Sequence, residues 1–451
     1  MTRKTTRRDF LKTSTLAAGT AAGAQLLGGP YLMAGPAPSR TLNVAVVGGG
    51  GMGGYAVGQA RNERFVALAE IDDGRIGGIL NGLDKSKGEP KVYYDYRKMI
   101  EECHKDIDVV LISTPDHHHA PAAIRAINRG KHAFCQKPLA HNIYECRTLA
   151  EAAKQNKVLT QMGNQGHCGE GYRRLVEFIW GGAIGNVIET HSIFARNFGG
   201  NGGIPAGKPV PAGLHWDEWL GPAPLREYHD GLHPFSWRSW RQFGTGTLGD
   251  MACHVMDGVI WALKLVEATN FSIECLAQTE GSAEMFPKSN VVKFDFPARG
   301  DMPPVKVFTY DNAGQKPEII KNLEKEAKRK FKDGTIYVGD KGMMYTDTYG
   351  GGIQLYPEAR RQAFANPPKT LPRAHGGPIE DLFWAIKNDG TPASNFVDYS
   401  GRLTEFILTG QLAMLAGVGK KLDWDVAAMK CTNHDEINQF VRRKYRPGWE
   451  V

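Results

Sequence analysis

Apolar residues gather in short runs along the first third of the chain, and helical spacing separates them. Leu42, Val44, Ala45, Val46 and Val47 form the first run, with the β-branched character of a strand buried on both faces. Further runs cover 65–69, 108–113, 131–136 and 158–162, and residues 92–95 read as a shorter strand. Helical patterns fall at 96–103, 122–128 and 145–155, and the polar, glycine-rich stretch to Pro90 reads as helix plus loop. This β-α alternation from 42 to 162 predicts one α/β domain with a doubly wound parallel sheet.

The pattern changes after 166. A helix is predicted at 172–181, followed by strand-like runs at 187–195, 271–279, 290–296, 305–310 and 335–338. Turns rather than helices separate these runs, which predicts a second, α+β domain with a large, mostly antiparallel open sheet. Residues 197–245 form a long insertion rich in Gly, Pro and Trp, and loops of that length usually carry function. Helices at 380–387 and 403–417 are expected to pack on the second sheet. The predicted domains are thus 41–165 and 166–440. The basic end, 441–451, is expected to be a solvated tail.

The chain has 451 residues, 41% of them hydrophobic, enough for a large core. Its formal net charge of +7 owes much to Arg3, Lys4, Arg7, Arg8 and Lys12. No concentrated basic stripe follows, so no nucleic-acid partner is expected. Residues 1–35 are set aside from the fold, because Thr6, Arg7, Arg8, Asp9, Phe10, Leu11 and Lys12 precede a mild apolar run at 16–27. That arrangement resembles a twin-arginine export signal and implies a folded protein delivered to the periplasm. The run is too short for an integral membrane span, with a retained anchor as the alternative. The seven cysteines show no C-x-x-C spacing and read as small buried hydrophobes.

Gly48, Gly50 and Gly53 fit G-x-G-x-x-G directly after the first strand, with Gly51 and Met52 inside the turn. Such a turn lets backbone approach a pyrophosphate and aims a helix N-terminus at it. Glu70 closes the second strand at about the spacing where an acidic residue meets ribose hydroxyls. Its charge favours NAD, while nearby Arg75 keeps NADP as the less favoured choice. Asp250 and His254 stand at i and i+4 and share a helix face, and His254 is the candidate general base, titrating near neutrality. Asp257 continues that face and reads as structural. Lys137 ends a strand and can donate to an alkoxide. His117, His118 and His119 cannot converge on one ion from consecutive positions, so no metal is expected. The insertion's Trp216, Trp219, Tyr228, Phe235, Trp237 and Trp240, with Arg238 and Arg241, leave three readings open: a glycan cleft, self-packing, or docking to a neighbouring subunit.

Four motifs occur in order: Gly48 to Gly53; Ser113, Thr114 and Pro115 with His119; Gln136, Lys137 and Pro138; and Gly249, Asp250 and His254. Together they resemble the glucose–fructose oxidoreductase/inositol dehydrogenase (Gfo/Idh/MocA) family, over about residues 41 to 440, and its exported bacterial branch in particular. The resemblance implies a Rossmann domain, NAD or NADP, sugar or polyol substrates, and dimers or tetramers. It places Ser113, Thr114, Pro115, His119, Gln136 and Lys137 on the cofactor, with His119 starting a helix and His117 and His118 in a loop. Catalysis falls to Lys137, Asp250 and His254, with Asp250 orienting substrate. Asn164, Gln165, Arg196 and Trp237 are read as substrate contacts. Gln136 replaces the family's glutamate, which removes a candidate partner for Lys137. The expected function is an exported oxidoreductase of sugar, glycoside or polyol hydroxyls with tightly bound cofactor. The alternative is a redox-neutral NAD-dependent glycoside hydrolase, against which Lys137 argues.

Overall fold

The computed structural model describes residues 41–311 and 316–451, so the export segment expected at 1–35 lies outside the described residues. The first unit alternates β1 (Asn43–Val47), α1 (Met52–Gln59), β2 (Arg64–Ala69), α2 (Asp73–Asn81), β3 (Lys91–Tyr93), α3 (Tyr96–Cys103), β4 (Val109–Ile112), α4 (Asp116–Asn128), β5 (His132–Cys135), α5 (Ile143–Asn156) and β6 (Thr160–Met162). Its six strands run in the order β3-β2-β1-β4-β5-β6, every pair parallel. Asp72, Asp95 and Asn142 cap α2, α3 and α5 by accepting from backbone N–H groups of the first turn.

Strand order reverses between β1 and β4, which opens a crevice at the carboxyl ends of these strands. Glycine is required there. Gly48 has φ +79°, and a Cβ on it would stand 3.0 Å from Ser113 O. A Cβ on Gly53 would stand 2.0 Å from Gly48 O, so only glycine lets α1 turn back this close to β1.

The second unit begins with α6 (Glu170–Trp180) and β7 (Val187–Phe194), then α7 (Gly246–Val255) and α8 (Asp257–Ala262). It continues through β8 (Asn270–Gln278), β9 (Asn290–Phe296), β10 (Val305–Asp311), α9 (Glu318–Glu326), β11 (Gly334–Gly339), β12 (Gly342–Thr346) and β13 (Gln354–Tyr356). Then follow α10 (Pro378–Asn388), α11 (Gly401–Ala416), β14 (Lys421–Asp425) and β15 (Lys430–Cys431). Nine strands form one sheet in the order β13-β12-β11-β7-β10-β9-β8-β14-β15. All pairs are antiparallel except β7 with β10.

Two expectations change. Helix α10 does not pack on the second sheet. Its Ile379, Leu382, Phe383 and Ile386 bury against Val44, Val46, Leu68, Leu111 and Phe134 of the parallel sheet, so the chain returns to complete the first domain. Helix α11 does cover the second sheet, with Phe406 edge-on to Phe271 and Phe296. The C-terminal segment is a strap rather than a solvated tail. Trp449 is buried against Tyr96 and under Arg97, Arg443 pairs with Glu145 at 3.0 Å, and Arg446 pairs with Asp217 at 2.6 Å. The insertion packs a small core of its own from Trp219, Leu220, Leu232, Trp237, Trp240 and Phe243. All seven cysteines are free, and six of them are buried.

Helix α10 gives the first test. Leu382 is fully buried, so Leu382→Ala should cost about 2–5 kcal/mol in denaturant unfolding, through lost transfer energy and the cavity left behind. A loss near zero would mean that α10 does not close the parallel sheet.

Candidate active site

One cavity of about 480 Å³ lies along the carboxyl ends of β1, β2, β4 and β5. The parallel sheet contributes Gly48, Gly50, Gly51, Met52, Glu70, Ser113, Thr114, Pro115, Gln136 and Lys137. Gln165 follows β6, the second unit faces these residues with Arg196, Asp250, His254 and Tyr349, and the insertion closes over the top with Trp219, His233, Phe235, Trp237 and Arg238. Among the described residues no helix is long and apolar enough to cross a membrane, and no group of three His, Cys, Asp or Glu could hold a metal ion.

The sheet half suits a dinucleotide. Glu70 is buried; its Oε2 accepts from Gly49 N at 2.8 Å, and its Oε1 accepts from Ile71 N at 2.9 Å and Asp72 N at 3.2 Å. A carboxylate has about four lone-pair sites, so capacity remains for a ribose hydroxyl. Arg75 lies over Gly50 and its Nε donates to Asp72 at 3.0 Å. Ser113 Oγ, Thr114 Oγ1, Gln136 Oε1 and Gln165 Oε1 are buried at the cavity wall with no partner among the described residues. Buried polar atoms are nearly always satisfied, so these orphaned groups mark where a polar ligand completes the wall. The residues present therefore fit NAD: the glycine turn and α1 N-terminus for the pyrophosphate, Glu70 for the ribose, and the orphaned hydroxyls and amides for the nicotinamide half.

At the other end stands an ionic cluster. Lys137 Nζ donates to Asp250 Oδ1 at 3.0 Å and to Asp250 O at 3.2 Å, and Arg238 Nε donates to the same Oδ1 at 3.2 Å. Lys137 thus has a carboxylate partner although residue 136 is glutamine. Burial works against charge on Asp250, but Lys137 and then Arg238 outweigh it and hold the carboxyl below its usual range. His254 is buried beside them with Nδ1 unpartnered. Burial, and next the Lys137 charge, push its pKa down to about 3, and the Asp250 charge does not compensate. The expectation that His254 titrates near neutrality is therefore corrected: its imidazole is neutral at physiological pH. Asp116, unremarked in the sequence, lines the same cavity and accepts from Thr245 Oγ1 at 2.7 Å.

Other expected site residues divide. Gln165, Arg196 and Trp237 line the cavity, although Trp237 is itself buried under Arg238. Asn164 does not reach the cavity. It is fully buried and its Nδ2 donates to Asp257 Oδ2 at 3.0 Å, in a network where His167 Nδ1 stands 2.8 Å and the Tyr399 hydroxyl 2.5 Å from Asp257 Oδ1. This network fixes the start of α8, directly beyond His254. His119 also lies behind the wall, its ring nitrogens 2.6 Å from Pro138 O and 3.0 Å from Thr114 O, so it ties two strand ends together instead of touching the cofactor space. His117 and His118 are not loop residues, because α4 begins at Asp116. Both rings point at Trp219 O and so hold the insertion. His229 and His233, four apart, diverge: His229 turns to Asp230 O and His233 to Asp72.

The insertion is clasped to the β2–α2 turn, where the ribose side lies. His215 N donates to Ile71 O, Asp73 N donates to Gly213 O, the His215 ring stacks on Tyr94 at 3.4 Å, and His233 Nε2 stands 3.3 Å from Asp72 Oδ2. These contacts were hidden in the sequence, since they join segments more than 100 residues apart. The only local hint was the density of His, Trp and Arg in a loop.

Comparison with known proteins follows the same division. The family model described as "Oxidoreductase family, NAD-binding Rossmann fold" matches residues 42–164, and that of its C-terminal alpha/beta domain matches 177–291. Inositol 2-dehydrogenase of Salmonella typhimurium is 34% identical over 156 residues, 34% of this chain and 45% of that protein. Levoglucosan dehydrogenase of Pseudarthrobacter phenanthrenivorans is 27% identical over 232 residues, 48% of this chain and 50% of that protein. The chain thus spans about half the length of the curated relatives it matches. The aldose–aldose oxidoreductase of Caulobacter crescentus shares the fold, with a TM-score of 0.55 at 15% identity, over 85% of this chain and all of that one.

The buried histidines give a pH test. Burial is the largest cause lowering His117, His118, His119, His141 and His254, the last four to between about 3 and about 4. Between those values and the unfolded value near 6.5, the unfolded chain binds more protons. Stability is therefore full above about pH 6.5 and falls as pH drops, by up to about 1.4 kcal/mol per pH unit for each group. Asp116 and Asp311, both raised to about 7 chiefly by burial, bind protons more tightly when folded and offset part of this, so urea midpoints should decline from about pH 6.5 to pH 4 by less than the histidines alone would give. A midpoint unchanged across that window would contradict the burial described.

Proposed function

Because this chain belongs to the Gfo/Idh/MocA oxidoreductase family, we infer that it oxidises a secondary hydroxyl of a sugar, glycoside or polyol with NAD. The observation that carries this reading is the meeting of Lys137, Asp250 and His254 in the cavity whose other half fits the dinucleotide. The names of the inositol and levoglucosan dehydrogenases agree with that substrate class.

Bound NAD supplies a hydride acceptor. The chain supplies the rest. His254, neutral at working pH, offers a ring nitrogen to the hydroxyl proton. Lys137 donates to the oxygen as negative charge grows on it. Asp250 keeps the ammonium aimed, and Arg238 shares that carboxylate. Phe235 and Tyr349, the exposed aromatic rings of the cavity lining, offer flat apolar faces to sugar C–H groups, with Trp237 beneath Arg238.

The reading extends to a captive cofactor and an exported protein. The insertion crosses the cavity and is clasped at the β2–α2 turn, which supports slow release of nucleotide. The Arg7 and Arg8 motif supports folded export to the periplasm, where a bound cofactor replaces a soluble pool.

Two results test this. His254→Ala should lower kcat on the responsive sugar by about 10²–10⁴-fold while the nucleotide content released by denaturation stays unchanged. Release of free sugar from glycosides with no acceptor consumed would favour the hydrolase instead. His215→Ala combined with His233→Ala should shed nucleotide during gel filtration that wild type retains. A wild-type protein that purifies empty and turns over only with added NAD would contradict the captive cofactor.

A further inference from the structure

We propose that Asp116 is the group on which the alcohol's proton comes to rest, so that the protein stores the proton beside the hydride. The proposal rests on the oxidoreductase reading above.

Two carboxyls face the reacting half of the cavity, and they are treated unequally. Asp250 takes both nearby cations, Lys137 at 3.0 Å and Arg238 at 3.2 Å. Asp116 has a hydroxyl partner, Thr245, and forms no ion pair among the described residues. It is only 2% exposed, at the first position of α4, and opens on the cavity that Lys137 and His254 share. The charged and titratable groups around it are Asp250 and Cys253 on α7, Lys137 and Cys135 at the end of β5, and Arg238 from the insertion. Burial, then the Asp250 charge, push the Asp116 carboxyl up to about 7, against the Thr245 hydrogen bond and the two cations.

The neighbours do not hold a proton. His254 can accept one in passing, but burial and Lys137 leave it little affinity. Asp250 is held ionised by its two cations. Glu70 is engaged by three backbone N–H groups on the ribose side. Asp116 remains.

The step balances as follows. The carbinol C–H bond breaks and its electron pair leaves as hydride to NAD⁺. The O–H bond breaks toward His254, the C=O bond forms, and the proton passes on to the Asp116 carboxylate, whose affinity for it rises because hydride transfer removes the positive charge of the nicotinamide. Reduction of a second carbonyl compound draws on both stores and restores the carboxylate.

The experiment uses the holoenzyme in weak buffer with a pH indicator, near pH 7.5. Inositol, levoglucosan, and hexoses with their methyl glycosides are added, and released protons are counted against the reduced-nicotinamide absorbance. Wild type should release well under one proton per hydride, and Asp116→Asn one per hydride. Full release by wild type, or the same fractional release by both proteins, overturns the proposal. A second readout needs no turnover: the infrared difference spectrum of wild type across neutral pH should show a carboxylic acid becoming carboxylate, and Asp116→Asn should lack it. Absence of that change in wild type also overturns the proposal. If no reduced band forms with any sugar, the oxidoreductase reading falls and takes this one with it; a normal band with full proton release sinks this one alone.

Discussion

The carboxylate of Asp250 is the point on which the site depends. It gathers Lys137 from the parallel sheet and Arg238 from the insertion onto a helix of the second unit. Taking three charges out of water is costly, and their attraction repays it only if each partner stays in place. The surroundings provide that. Thr245, one residue before α7, donates to Asp116 at the start of α4, and Gln411 on α11 donates to Thr245 O. Beyond His254, Asp257 takes bonds from Asn164 and Tyr399 and faces His167. Closure between the units and alignment of the reactive groups are therefore one arrangement.

The same burial that strengthens the cluster sets the proton affinities around it. Histidines cannot hold a charge there, and five of them stay neutral. Two of these, His117 and His118, serve as ties to the insertion, which the C-terminal strap grips from outside through Arg446. A carboxyl without a cation moves the other way, as Asp116 does. Buried side chains gathered from three separated stretches of chain give each charge in the cluster more weight than it would have in water.

What the sequence made legible was local. A glycine turn after a β-branched run, Asp250 and His254 at i and i+4, and Lys137 before Pro138 each carry their meaning within a few residues. The rest depends on distant partners. The apolar face of α10 was visible in the pattern, but a face does not state which sheet it meets. Asn164 looked free to bind substrate because nothing nearby shows that Asp257, on another helix, consumes its amide. His254 looked like a neutral-pH base because proton affinity follows burial, which no spacing displays. The arginines at 443 and 446 looked solvated because Glu145 and Asp217 lie far off in the chain. Strands β12 to β15 were missed because they are two to five residues long, so that even the alternation of Leu422 and Trp424 in β14 offers only two apolar positions.

The most direct measurement is the near-ultraviolet absorbance of the purified protein, with no nucleotide added, before and after exposure to single sugars and polyols. The account predicts nucleotide already present and a reduced-nicotinamide band that appears or vanishes with one substrate class. Nucleotide that never changes state, or none at all, would contradict it.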